Sequence, residues 1–316
     1  MLVKSLKLSP GILLGTIFLV WFGWHLSHGV PFGDPIPAEL PPGMEEPSPP
    51  PPPPPPPEEP PPPEAPPSEP PPPEAPPPDP PKPPRIAIVT FITDEKSYIH
   101  LSLKNKDHYA RRHGYDLVVD YEEHTDRGTT YWKYDMMERL IKKDRWDWLW
   151  WMDFDTLITN TGIKVTDIIS ESLANATNPD DIDYLTTHDC NGLNTGSFLV
   201  RSHPRSLDFL HSIYAIHSSG RDSDEHLSEQ DAMARLIATE KEAGDRTLRV
   251  PQYKLNAFPS EIACYDDAKK AWEHGAFVLH FAGAWAHVKS EDATGELMRK
   301  YKDEIIWGDW KEFYGN

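Results

Sequence analysis

Proline divides this 316-residue chain before any other feature does. Of 37 prolines, two precede residue 34 and four follow residue 84, which leaves 31 within residues 34–84. Proline fixes φ and removes a backbone donor, so such a tract builds neither helix nor sheet. The same tract carries ten acidic residues against one lysine. Residues 31–84 are therefore expected to be a disordered stem. In an extended polyproline helix, at about 3.1 Å per residue, ~50 residues would reach on the order of 150 Å. A semi-rigid spacer is its default role, and a ligand for proline-binding modules the alternative. Residues 85–316 have a globular composition and are long enough for one sizeable core.

On the other side of the stem, Lys4 and Lys7 precede an uncharged stretch from Leu8 to Gly33, with its most apolar part, GILLGTIFLVWFGW, at residues 11–24. About 20 such residues suffice to cross a bilayer as a helix, and lysines on the N-terminal side hold that end in the cytoplasm. The expected organisation is a cytoplasmic tail (1–9), a transmembrane signal anchor (10–30), the stem (31–84) and a catalytic domain (85–316). A cleaved signal peptide is the alternative for the anchor. In both cases the C-terminal domain is lumenal or extracellular. The net charge of −19 argues against nucleic acid as a partner. Asn175-Ala176-Thr177 is an N-glycosylation sequon. The two cysteines, Cys190 and Cys264, would meet an oxidising lumen, but their spacing leaves their pairing open.

From Arg85 onward strands alternate with helices. Strands are expected at 85–93, 115–121, 147–155, 183–189, 196–201 and 275–283, and helices at 97–114, 131–143, 204–217, 228–244 and from Lys289 onward. This alternation predicts an α/β domain with a mostly parallel central sheet flanked by helices.

One stretch joins this pattern to chemistry. In DWLWWMDFD (147–155) an unbroken apolar run ends in two carboxylates, Asp153 and Asp155. In a strand, residues i and i+2 face the same way, and open α/β sheets bind ligands at the carboxyl ends of their strands. Two acids there can hold a hard divalent cation that bridges to phosphates. A strand-end turn with locally bonded aspartates is the alternative. His280, at the end of a late apolar strand, is a candidate third ligand. Lys133 opens the helix before the Asp153 strand, where it could neutralise phosphate. Asn194, Thr195 and Gly196 form a polar segment where backbone and side chains could approach a sugar. In SEQDA (228–232), Ser228 with Asp231 resembles a helix cap, which leaves Glu229 and Gln230 free beside a ligand site.

In combination, W-x-W-W-M-D-x-D, N-T-G-S-F-L-x-R, E-Q and H-F-x-G resemble the galactosyltransferase/mannosyltransferase family of fungal Golgi enzymes (glycosyltransferase family 34 type), to which plant xyloglucan xylosyltransferases also belong. The resemblance covers roughly residues 85–306. It implies a GT-A fold, a nucleotide-sugar donor, transfer with retention, and Mn²⁺ (or Mg²⁺) held by Asp153, Asp155 and His280. It places Lys133, Asn194, Thr195, Gly196 and Gly283 around the donor, with Glu229 and Gln230 beside the donor sugar as catalytic residues. Thr90 to Asp94 and Tyr115-Asp116 fall where the base would be read. Two departures stand out. Ala284, Trp285 and Ala286 occupy the positions where plant members carry a phosphate-binding lysine, and the acidic pair before Gln230 is reduced to Glu229 alone. The implied partners are UDP-galactose or GDP-mannose, a mannose-containing glycan acceptor, the Golgi membrane through residues 10–30, and other glycosyltransferases in a hetero-oligomer. The competing expectation is a membrane-tethered lumenal lectin or adaptor without catalysis.

Overall fold

A computed structural model of the chain describes residues 82–222 and 225–314. The expected tail, the anchor and residues 31–81 of the stem lie outside the described residues. Among those described, no helix is long and apolar enough to cross a membrane.

In chain order the elements are β1 (Ile86–Phe91), α1 (Ile99–His113), β2 (Asp116–Asp120), α2 (Trp132–Ile141), β3 (Trp148–Met152), β4 (Thr156–Ile158) and α3 (Val165–Ala174). They continue with β5 (Tyr184–Asp189), β6 (Gly192–Arg201), α4 (Pro204–Asp222), α5 (Glu229–Thr239), α6 (Lys241–Asp245) and β7 (Thr247–Arg249). The last are α7 (Gln252–Leu255), β8 (Val278–His280), α8 (Ala284–His287) and α9 (Ala293–Tyr301). Six strands form one sheet in the order β2-β1-β3-β6-β5-β7, and β4 pairs with β8 in a second.

The tryptophan run is legible from this arrangement. β3 lies between β1 and β6 and is covered on both faces. Leu149 and Trp151 meet α2, α4 and α5 on one side, and Trp148, Trp150 and Met152 meet Tyr109, Ile168 and Phe277 on the other. A strand buried on both faces reads as a continuous apolar run rather than an alternating one. A third cluster, built on Leu157, Leu279, Phe258, Phe281, Leu297 and Met298, supports the small sheet. Gly114 ends α1 at φ 66°, where its left-handed backbone returns a hydrogen bond to the helix.

Several expectations change. The large sheet is mixed rather than mostly parallel. β1–β2, β1–β3 and β5–β7 are parallel, but β6 runs antiparallel to both β3 and β5. For β5 and β6 the reason is the two-residue connection at Cys190-Asn191, too short for the crossover that parallel neighbours need. That hairpin extends β6 back to Gly192 and draws Asn194 and Thr195 into the strand, instead of leaving them in a loop before it. β3 stops at Met152, so Asp153 and Asp155 lie in the turn to β4, a strand missing from the expectation. The helix expected over 228–244 breaks at Glu240, whose extended backbone separates α5 from α6 and redirects the chain towards β7. β8 keeps only three residues of the strand expected over 275–283.

Candidate active site

The turn carrying the acids is held from several sides. Asp153 N–H donates to the Gly196 carbonyl (2.7 Å), and the Thr156 hydroxyl donates back to the Asp153 carbonyl (2.7 Å). One face of α1 completes the grip. Ser102 Oγ donates to the Phe154 carbonyl (2.6 Å), and Lys106 Nζ to the Thr156 carbonyl (2.9 Å). Asn105 bonds both the carbonyl and the N–H of Ile158. Ser102, Asn105 and Lys106 are fully buried, at the i, i+3, i+4 spacing that puts them on one helix face. Burial lowers the Lys106 amine to about 7, although the Asp155 and Asp153 carboxylates favour its charge.

β8 runs antiparallel beside β4 with His280 opposite Thr156. Donor atoms of Asp153, Asp155 and His280 consequently lie within 4.8 Å of one another. His280 Nε2 is 3.3 Å from Asp155 Oδ1. Burial alone would push the Asp155 carboxyl up, but the His280 charge and hydrogen bond, with help from Lys106, hold it below the usual carboxylate range. Burial disfavours the His280 imidazolium, yet Asp155 carries that group above its ordinary value. Two carboxylates and one imidazole form a donor set suited to a divalent cation such as Mn²⁺. Another trio, Asp189, Cys190 and Cys264, is no such site, because its cysteines are joined in a disulfide.

A cleft of about 220 Å³ opens beside the acids, lined in part by Asp94, Lys96, Tyr98, Lys133 and Glu229. Lys133 is buried at its inner wall. Its Nζ lies 3.0 Å from Glu229 Oε1, 3.5 Å from Asp153 Oδ1 and 3.3 Å from Thr195 Oγ1. Burial opposes its charge, but the two carboxylates outweigh burial and raise it. The reciprocal effect lowers Glu229 below the carboxylate range despite burial. Glu229 opens α5 behind its Ser228 cap, which accepts from Asp231 N–H, so the expected cap and the expected cleft residue are both present.

The structure brings Asp153, Asp155, Lys133, Glu229 and Asp94 to the cleft, with His280 behind the acids. Other expected site residues lie elsewhere. Thr90 is fully buried in β1, with no partner for its hydroxyl, and does not line the cleft. Its position in the strand interior turns it away from solvent. Gln230 is occupied in accepting the Thr195 N–H (3.0 Å). Asn194 bonds Asp189, Gly196 N–H and Asn256, and Thr195 bonds Lys133 and Glu229. These residues shape the cleft from behind rather than lining it. Gly196 has a steric role, because a Cβ there would lie 2.0 Å from the His280 ring. Gly283 starts α8 at φ 61° and also lies outside the cleft lining. Asp116, at the opposite end of β2, is taken by Trp146 and Arg145.

Sequence reasoning missed Lys96, Tyr98, Thr129 and Thr130 in the lining, and Asn256 behind His280. Only Lys96 and Tyr98 carried a signal, as residues just past the end of β1, where α/β ligands bind.

Residues 83–177 and 171–291 match the galactosyl transferase GMA12/MNN10 family. The chain belongs to that family. Its relatives include an uncharacterised alpha-1,2-galactosyltransferase of Schizosaccharomyces pombe, 29% identical over 229 residues, covering 60% of this chain and 56% of the relative. Another is the "Probable alpha-1,6-mannosyltransferase MNN10" of Saccharomyces cerevisiae, 29% identical over 189 residues, covering 50% and 47%. The chain thus spans about half the length of the curated relatives it matches. Among solved structures it resembles a glycosyltransferase involved in glycosylation of the major capsid of PBCV-1, with a TM-score of 0.52 at 18% identity, over 69% of this chain and 100% of that one. At that identity the likeness concerns the fold, and it agrees with a GT-A-like α/β domain. For the GMA12/MNN10 family member described here, the expected family resemblance stands.

Proposed function

We propose that this chain is a metal-dependent, retaining glycosyltransferase that moves a hexose onto mannose-containing glycans of glycoproteins. The donor is UDP-galactose or GDP-mannose, a reading supported by the galactosyl- and mannosyltransferases among the chain's relatives, beside which stand xyloglucan xylosyltransferases. Supporting this reading is one observation above all: the donor atoms of Asp153, Asp155 and His280 converge beside a cleft whose wall carries Lys133 and Glu229. Residues 10–30 would anchor the enzyme as a single-pass type II protein of the Golgi membrane, with the catalytic domain in the lumen, and a hetero-oligomer with other glycosyltransferases would fit that setting.

A divalent ion held by Asp153, Asp155 and His280 would supply Lewis-acid stabilisation of the leaving diphosphate. The chain's own residues do the rest. Lys133 Nζ lies between Asp153 and Glu229, paired with both, and against the burial of Glu229 it keeps that carboxylate charged at the cleft wall. Glu229, ionised and hydrogen-bonded to Lys133, is a weak nucleophile but a fixed negative charge facing the donor sugar. There it would stabilise the developing oxocarbenium ion. The turn bonds from Ser102, Lys106 and Thr156 hold the acids in place before substrate arrives, which is where preorganisation lowers the barrier.

The test incubates the full chain with UDP-galactose, GDP-mannose or UDP-xylose and an α-mannoside, with Mn²⁺ or with EDTA, and follows nucleotide release. Turnover of one donor is expected only with Mn²⁺, and Asp155→Asn should abolish it without loss of folding. Turnover that survives EDTA would refute metal dependence. Mannoside binding with no turnover of any donor would favour the lectin reading.

A further inference from the structure

His280 does not hold its own orientation. Its ring is 2% exposed, and Nδ1 lies 2.9 Å from Asn256 Oδ1. Asn256, in the loop after α7, is itself fully buried. Its amide nitrogen donates to Asn194 Oδ1 (2.8 Å) and to Thr187 Oγ1 (2.9 Å). The direction of these bonds is fixed at the far end. Gly196 N–H can only donate, so the Asn194 atom that receives it (3.0 Å) is Oδ1. The Asn194 amide nitrogen then donates to Asp189 (2.8 Å). The Asn256 atom facing Asn194 Oδ1 must therefore be nitrogen, which leaves its oxygen facing His280. An oxygen there requires a proton on Nδ1, and in the neutral ring Nε2 is then the bare nitrogen, turned towards Asp155.

We infer that Asn256 is a positioning residue for the metal site, fixing the tautomer and ring orientation of His280 through a relay that ends at the Gly196 backbone. The inference rests on the metal reading of Asp153, Asp155 and His280. It adds a residue that the motifs do not contain. A ligating histidine usually gives its second N–H to a carbonyl or carboxylate, and losing that partner typically costs about 10–100-fold in metal affinity. Here a side-chain amide takes the role, and the amide is locked by three strand residues: Thr187, Asn194 and Gly196. Thr187 lies in β5, Asn194 and Gly196 in β6, and His280 in β8, so the relay also links the two sheets at the site.

The experiment measures Mn²⁺ binding to the full chain by electron paramagnetic resonance, with thermal melting in EDTA as the check on folding. Asn256→Leu, of similar volume but without the acceptor, should weaken Mn²⁺ binding about 10–100-fold. Asn256→Asp keeps an oxygen facing Nδ1 but sets its second oxygen against Asn194 Oδ1, so it should melt lower than wild type yet bind Mn²⁺ more tightly than Asn256→Leu, a partial rescue that a purely structural role would not produce. Wild-type affinity in Asn256→Leu, or an Asn256→Asp variant as weak as Asn256→Leu, would overturn the inference. If Asn256→Leu does not fold, Asn194→Ala frees the amide to flip and should weaken binding severalfold, while unchanged affinity there would overturn it. Absence of Mn²⁺ binding in the wild type would instead overturn the metal reading on which the inference stands.

Discussion

Gly196→Ala is a single-methyl test of the site. Gly196 lies inside β6, where a side chain would ordinarily be accommodated, and the ring of His280 from the second sheet crosses directly over it. An added Cβ would sit 2.0 Å from Cε1, 2.6 Å from Nδ1 and 2.9 Å from Nε2 of that ring. Ordinary contact begins at 3.4 Å, so the ring would have to retreat by about 1.4 Å. It has little room, because Asn256 holds Nδ1 and Phe258 packs against it edge-on at a centroid distance of 5.5 Å. Forcing an extra methyl into such packing costs about 1–3 kcal/mol, and a chain of this size loses roughly 2–4 °C in melting temperature per kcal/mol. The functional loss should be larger than the structural one. A catalytic group displaced by about 1 Å loses on the order of 10²-fold in rate. The assay pairs melting in EDTA with Mn²⁺ titration and nucleotide release. A variant that melts a few degrees lower yet has lost Mn²⁺-dependent turnover is the expected result. Wild-type Mn²⁺ affinity and turnover in Gly196→Ala would refute the claim that close approach at Gly196 shapes the metal site.

Two further outcomes follow from charges and covalent links. Lys133→Met leaves Glu229 buried without its cation, which should cost about 3–5 kcal/mol at neutral pH. In the wild type the Glu229 carboxyl is depressed, so its contribution to stability is present above the unfolded carboxylate range and fades as pH falls. In the variant the same carboxyl would rise, because burial is then opposed only by the hydrogen bonds from Thr130, Thr195 and the Glu229 backbone. The gap between the two proteins should therefore narrow towards pH 4. Denaturation across pH 4–8 checks this, and a pH-independent gap would refute it. Cys190 and Cys264 are paired across 74 residues of chain. Loop-closure entropy for that separation gives about 4 kcal/mol, so a Cys190→Ser/Cys264→Ser double variant should lose most of that in denaturant titration, and a loss below about 1 kcal/mol would contradict the entropic account.

Much of the architecture was legible in the chain itself. The apolar run from Trp148 to Met152 announced a strand covered on both faces, because only such a strand can bury every side chain along its length. Gly114 marked the end of α1 because a left-handed residue is needed there. The acids after Met152, the apolar strand before His280 and the Ser228 cap before Glu229 are local patterns, each decided within a few residues, and each reappears in the folded chain. The tertiary structure decided what those patterns meet. Nothing near position 280 says that its strand will run antiparallel to Thr156–Ile158 and so complete the site at Asp155. Nothing near position 256 says that an asparagine will turn its oxygen to His280, and nothing near position 102 says that one face of α1 will hold the turn that carries Asp153 and Asp155. Thr90 and Asn194 carry the right chemistry for a ligand, yet Thr90 is buried in β1 with its hydroxyl unpartnered and Asn194 is spent in a hydrogen-bond network. Such outcomes depend on contacts between residues dozens to more than a hundred positions apart, set by strand register and by which faces must be buried, and a sequence read locally holds no record of them.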